Sequence, residues 1–156
     1  MLSQASLDAI EQEMDKYPDD RKQAAIMAGL RIAQNELGWI SQDLMNYLAD
    51  LFDLQPIQVY EVATFYTMYD LEPVGRHKIS VCTNVSCMLR GSDDVVEHLQ
   101  KKLGIKFGET TKDNKYTLRE VECLAACGGS PMCQIGKTYH EYLTPEKIDS
   151  ILDGLE

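Results

Sequence analysis

Four of the five cysteines occur as two short-range pairs that lie far apart in the chain. The segment Cys82-Thr-Asn-Val-Ser-Cys87 has four residues between its cysteines, and Cys123-Leu-Ala-Ala-Cys127 has three. A closely spaced pair can place both thiolates on one metal ion from a single loop. Two such loops can therefore hold one tetrahedral ion, or a two-iron cluster with one pair on each iron.

The spacing favours a four-thiolate metal site without identifying the metal. The first pair is wider than the C-x2-C knuckle usual for structural zinc, but it stays within the range that zinc sites use. Zinc in a binding module and an iron–sulfur cluster in a redox carrier are equally compatible with it, and a metal-free chain is a third alternative. Two disulfides are disfavoured, because the cysteine number is odd and no secretion signal precedes them.

The residues between the paired cysteines are small or uncharged. Backbone N–H groups can therefore approach the sulfurs, and such hydrogen bonds help to set the potential of a cluster. Gly128 and Gly129 allow the second loop to bend tightly past Cys127. The formal net charge of −10 predicts a low potential for a cluster, because the electron would enter an already anionic protein.

The remaining candidates for chemistry favour structural roles. Cys133 lies in an apolar segment, which predicts a buried and inert thiol. We interpret His77, His98 and His140 as structural or solvent-facing residues. The chain has no G-x-G-x-x-G, no phosphate-binding G-x-x-x-x-G-K-[ST] and no C-x-x-C, so neither a nucleotide pocket nor a dithiol oxidoreductase is indicated.

The composition predicts a soluble protein whose partners are other proteins. The 156 residues are 44% hydrophobic, enough for a substantial core. The acidic balance argues against binding to nucleic acid. No apolar run approaches the roughly 20 residues that span a bilayer. The N-terminal segment lacks the features of a secretion signal, which places the chain in the cytosol or a reducing organelle matrix.

The first half of the chain predicts a compact unit of four amphipathic helices. Their boundaries are a Ser3 cap, a second helix from about Arg21 to a stop at Gly38, a Ser41 cap and Pro56 as the first residue of the fourth helix. The aromatic stretch Tyr60, Phe65, Tyr66 and Tyr69 is predicted to pack in the core rather than to form a partner-binding patch.

After the turn-rich segment 72–75, the pattern predicts a small α/β sheet layered with helices. The predicted strands are Lys78–Cys82, Tyr116–Val121, Met132–Ile135 and Thr138–Tyr142, and the predicted helices are Asp93–Leu103 and a closing helix from Thr144. Both cysteine pairs then fall just past strand ends, on one edge of the sheet.

Six motifs together resemble the 24 kDa subunit family of respiratory complex I, whose bacterial member is the E subunit of NADH:quinone oxidoreductase. They are Glu61-Val-Ala-Thr-Phe-Tyr66, Pro73-Val-Gly-Arg76, Cys82-x4-Cys87, Lys102-Leu-Gly-Ile105, Gly108-Glu-Thr-Thr111 and Cys123-Leu-Ala-Ala-Cys127. The resemblance runs from about Leu7 to Leu155 and favours an iron–sulfur cluster over zinc.

The resemblance implies a [2Fe-2S] cluster held by Cys82, Cys87, Cys123 and Cys127. It implies an α+β protein in which a helical bundle, residues 1–72, precedes a thioredoxin-like domain, residues 73–156, that carries the cluster. Cys133 does not match a ligand position of the family.

The resemblance also implies a tight partner, the flavoprotein subunit that carries FMN, the NADH site and a [4Fe-4S] cluster. The chain would be an electron-transfer subunit of NADH:quinone oxidoreductase, with its cluster near the FMN, and would not oxidise NADH alone. We expect it in the cytoplasm, peripheral to the inner membrane without entering it, or on the matrix side in a mitochondrion. The absence of a presequence suggests a bacterial or an already trimmed chain.

Two alternatives remain at this point. The nearest is the equivalent diaphorase subunit of an NAD-linked hydrogenase or formate dehydrogenase. A zinc-stabilised interaction module is the alternative from a different class.

Overall fold

The computed structural model describes residues 2–156, which form two compact units. The first unit ends at Pro73 and the second spans Val74–Glu156. Within the described residues, every helix is too short or too polar to cross a membrane.

The described residues of the first unit form helices and the segments that connect them. Its helices are α1 (Gln4–Met14), a 3₁₀ helix (Asp19–Ala25), α2 (Ile26–Leu37), α3 (Gln42–Phe52) and α4 (Pro56–Phe65). The two predicted serine caps are confirmed: the hydroxyls of Ser3 and Ser41 accept N–H groups three residues ahead, at 3.3 and 3.2 Å. The predicted start of the second helix is wrong, because Arg21 has non-helical backbone angles (φ −134°) and the α-helix begins only at Ile26.

One residue of the aromatic stretch is buried in the core of the first unit, and the other three are exposed to solvent. Tyr69 is buried, and its hydroxyl donates to the Met27 carbonyl at 2.8 Å. Tyr60 and Tyr66 are partly exposed, and Phe65 is 77% exposed. The prediction of core packing is therefore wrong for these three residues. The helix ends at Phe65 and the backbone is extended at Tyr66, so helical spacing does not continue through the stretch.

The second unit is a mixed four-stranded sheet with helices. The strands are β1 (His77–Cys82), β2 (Tyr116–Val121), β3 (Cys133–Ile135) and β4 (Thr138–His140), in the order β2-β1-β3-β4. Only the β1–β2 pair is parallel. The helices are α5 (Val85–Met88), α6 (Ser92–Leu103), a 3₁₀ turn (Cys127–Gly129) and α7 (Pro145–Asp153).

The last two predicted strands are longer than the observed ones. Strand β3 starts at Cys133 rather than at Met132, and β4 ends at His140. Tyr142, predicted to lie in this strand, has a φ of +50°, which an extended strand cannot accommodate. The two-residue turn at Gly136 and Lys137 is confirmed by the pairing of Ile135 with Thr138.

A buried layer between the sheet and its helices supports the end of β1. Ile79, Val81 and Leu118 from the sheet are fully buried and pack with Leu99 of α6 and Leu152 of α7. Burying such side chains contributes about 1.5–3 kcal/mol each. This core holds the carboxyl ends of β1 and β2 in place, which is where the chain continues into the cysteine segments.

Candidate metal centre

Cys82 and Cys87 lie at the end of the central strand. Cys82 is the last residue of β1, and its N–H donates to the Met132 carbonyl at 3.2 Å. The next residues turn into α5, where the Asn84 side chain accepts the N–H of Val85 at 2.8 Å. Cys87 lies within this short helix, and both sulfurs are buried. The segment that the spacing indicates as a loop is thus partly helical.

Cys123 and Cys127 follow the neighbouring strand. The parallel register pairs Cys82 with Val121, so Cys123 comes two residues beyond the same edge of the sheet. Cys127 begins the 3₁₀ turn. Both of these cysteines are exposed, unlike the first pair.

The structure brings the two cysteine segments next to each other. The Cys82 sulfur lies 3.8 Å from the carbonyl oxygen of Glu122, the residue before Cys123. The Cys87 sulfur lies 3.4 Å from the Ser130 hydroxyl, three residues after Cys127. Cys82, Cys87 and Met132 form a small group of buried side chains, and Leu124 and Ala126 pack against it. The predicted placement of both pairs at one edge of the sheet is therefore confirmed.

The second segment already directs a backbone donor at a sulfur. Ala125 has a φ of +56°, and its N–H points at the Cys123 sulfur at 3.2 Å. A small side chain limits the cost of this left-handed conformation. A thiolate gains more from such a hydrogen bond than a thiol, because charged acceptors bind donors more strongly. The residues present therefore suit an iron–sulfur group: they offer thiolate donors, two of them buried, with one N–H aimed at a sulfur.

Across residues 2–156, no three His, Cys, Asp or Glu side chains are arranged to hold a single metal ion. Two of the three histidines have other contacts: His98 pairs with Asp149 at 2.8 Å, and His77 contacts the Glu156 carbonyl at 2.8 Å.

Cys133 lies outside this group of residues. Its thiol is 3% exposed within the core of the second unit, and burial raises its pKa to about 12. A thiol that stays protonated at neutral pH is a poor nucleophile. The predicted burial of this cysteine is confirmed.

Two polar residues near the cysteines were not predicted from the sequence. Asn84 caps α5, and Ser130 contacts both cysteine segments. An asparagine before a short helix is a recognisable capping signal. The contact of Ser130 with Cys87 joins residues 43 positions apart, so local sequence carries no signal for it.

Comparison with known sequences gives one consistent relationship. Residues 10–156 match the model of the thioredoxin-like [2Fe-2S] ferredoxin family. The E subunit of the NADH-quinone oxidoreductase of Rickettsia bellii (strain RML369-C) is 46% identical over 151 residues, which cover 96% of this chain and 90% of that protein. The corresponding E subunit 2 of Rhizobium meliloti (strain 1021) is 43% identical over 145 residues, covering 93% and 85%.

A solved structure shares the fold. The crystal structure of an NAD+-reducing [NiFe]-hydrogenase in the air-oxidized state superposes with a TM-score of 0.73 and 22% sequence identity. The match covers 83% of this chain and 22% of the hydrogenase chain, so this chain spans about a fifth of the length of that chain. At this identity the likeness shows the fold alone.

These comparisons confirm the resemblance that the motifs indicate, and with it the α+β class with a helical N-terminal region and a thioredoxin-like fold. Relatives above 40% identity extend over nearly the whole chain, and the family model covers all but its first residues. The chain therefore belongs to the thioredoxin-like [2Fe-2S] ferredoxin family.

Proposed function

We propose that this chain is an electron-transfer subunit of an NADH:quinone oxidoreductase, with a [2Fe-2S] cluster held by Cys82, Cys87, Cys123 and Cys127. The observation that carries the proposal is the meeting of two cysteine segments at one sheet edge, in a chain closely related to E subunits of NADH-quinone oxidoreductases. The cluster supplies one-electron chemistry when bound. The chain contributes thiolates, a buried environment for one pair and the Ala125 N–H beside Cys123.

The proposal includes two domains, a helical bundle of residues 1–72 and a cluster domain of residues 73–156. It also includes a partner: the flavoprotein subunit that carries FMN, the NADH site and a [4Fe-4S] cluster. Relatives named as subunits of an oxidoreductase support the existence of partner subunits. Val85, Met88 and Leu89, beside Cys87, have exposed apolar side chains, which suit burial against another protein.

The proposed location follows from this assembly. The chain would lie in the cytoplasm, attached to the inner membrane only through the rest of the complex. Absence of a spanning helix from the described residues is compatible with this location.

The ligand assignment is tested by electron paramagnetic resonance (EPR) after chemical reduction. Wild-type protein should contain iron and sulfide and give the signal of a reduced two-iron cluster. Cys87→Ser should abolish or alter the signal, because serine replaces a thiolate ligand. Cys133→Ser is the matched control, since it alters an equally buried cysteine and should leave the signal unchanged. A colourless, zinc-containing native protein would contradict the proposal and favour the zinc-stabilised module.

The assembly is tested by purification with native partners. NADH should reduce the cluster rapidly only when the flavoprotein is present, because the chain shows no nucleotide-binding motif. Rapid reduction of the isolated chain by NADH would contradict this division of labour. Recovery of hydrogenase or formate dehydrogenase subunits would favour the diaphorase alternative, which the hydrogenase likeness supports only at the level of fold.

A further inference from the structure

Ser130 is a buried hydroxyl residue placed between the two cysteine segments. Ser130 is 3% exposed, and its hydroxyl oxygen accepts a hydrogen bond from the thiol of Cys87 at 3.4 Å. The same hydroxyl donates to the backbone carbonyl of Cys127 at 2.8 Å. One side chain thus connects a residue of the first pair to a residue of the second.

The donor in the Cys87–Ser130 contact must change when Cys87 binds iron. A thiol can donate a hydrogen bond, but a metal-bound thiolate has lost its proton and can only accept one. The Ser130 hydroxyl can rotate, and it is the donor available at 3.4 Å from this sulfur. Hydrogen bonds to charged acceptors are stronger than those between neutral groups, so rotation toward the thiolate is favoured.

The Cys127 carbonyl keeps a partner after this rotation. The backbone N–H of Ser130 also donates to that carbonyl, at 3.3 Å. Turning the hydroxyl toward Cys87 therefore leaves no buried acceptor unpaired, and the change avoids the penalty of an unsatisfied polar group.

We infer that Ser130 is a positioning residue that donates a hydrogen bond to the Cys87 thiolate and raises the reduction potential of the cluster. The inference rests on the proposed ligand set. Reduction adds one electron, supplied by the flavin of the partner or by dithionite in the assay. No bond breaks, and the proton stays on the serine oxygen. The donor stabilises the reduced form more, because that form places more negative charge on the sulfurs.

The test is the midpoint potential of the cluster, measured by redox titration with EPR detection on the intact protein. Ser130→Ala removes the donor and should lower the ratio of reduced to oxidised cluster at a given potential by about tenfold, the order expected for a hydrogen bond to a charged group. For a one-electron couple this is a downward shift of about 59 mV. Ser150→Ala, an exposed serine on α7, is the matched control and should keep the wild-type potential.

A second pair of variants separates the hydroxyl from the size of the side chain. Ser130→Thr keeps the donor and Ser130→Val has nearly the same shape without it, so the potential should be higher in the threonine variant. Equal potentials in the threonine and valine variants, or a wild-type potential in Ser130→Ala, overturn the inference. Loss of the two-iron signal from the wild-type protein itself would instead overturn the proposed ligand set.

Discussion

Gly75 is a position where a single methyl group should loosen the sheet that supports the cysteines. This glycine lies just before β1, against the start of β2. A Cβ atom there would lie 2.9 Å from the carbonyl carbon and 3.0 Å from the nitrogen of Tyr116. Both are backbone atoms, so no side-chain rotation can relieve the contact. The Gly75 N–H also donates to the buried Thr117 hydroxyl at 2.6 Å, and displacement would weaken that bond.

The expected cost of Gly75→Ala follows from these two effects. Forcing an extra carbon into a packed site costs about 1–3 kcal/mol. Weakening a buried hydrogen bond adds about 1 kcal/mol. The opening free energy of the β1–β2 pair should therefore fall by roughly 2–4 kcal/mol. Because 1.4 kcal/mol is a factor of ten, amide exchange should accelerate roughly 30- to 700-fold.

Hydrogen exchange followed by mass spectrometry measures this opening in peptides that contain β1 and β2. The informative amides are those of Arg76 and His77, which donate to the Asn114 and Lys115 carbonyls at 2.9 and 2.8 Å. Gly154→Ala is the matched control, because its Cβ would meet only ordinary contacts, the nearest at 3.4 Å. Wild-type exchange in the β1 and β2 peptides of Gly75→Ala would refute the steric argument.

Two further predictions concern titratable groups of the second unit. Burial raises the pKa of the Cys133 thiol from 9.0 to about 12. Iodoacetamide at pH 8 should therefore alkylate Cys133 only in unfolded protein, which peptide mass spectrometry measures. Alkylation of Cys133 in the native chain would contradict this prediction. Two hydrogen bonds, first that from His98 and then that from Lys102, lower the pKa of Asp149 below its ordinary value of 3.8. The ionised carboxylate therefore stabilises the fold above about pH 4, and this contribution is lost as the pH falls further. Asp149→Asn should destabilise the protein at pH 6, and its difference from wild type in urea unfolding should shrink as the pH falls below about 4; a pH-independent difference would exclude this linkage.

Several helix and strand boundaries could be predicted because their causes are local. A serine hydroxyl reaches the N–H three residues ahead, as at Ser41, whatever the rest of the chain does. Strand β2 is predicted with its observed bounds, although its burial does not alternate, because Tyr116, Thr117 and Leu118 are all buried. The errors arise where a local conformation breaks the pattern. Arg21 interrupts the second helix and Tyr142 turns the chain out of β4.

The sequence by itself determined the chemistry that is available: two closely spaced cysteine pairs, small residues between them, and motifs that identify the family. Ligand type and short-range spacing are properties of the chain, so they can be read before it folds.

The tertiary structure alone decided which groups meet. Parallel pairing of β1 with β2 places Cys82 beside Val121, and the same fold brings Ser130 to Cys87. The fold also explains why position 75 is a glycine, because a side chain there would meet the backbone of Tyr116, which is distant in sequence. Such contacts depend on how elements pack, and no local pattern encodes them.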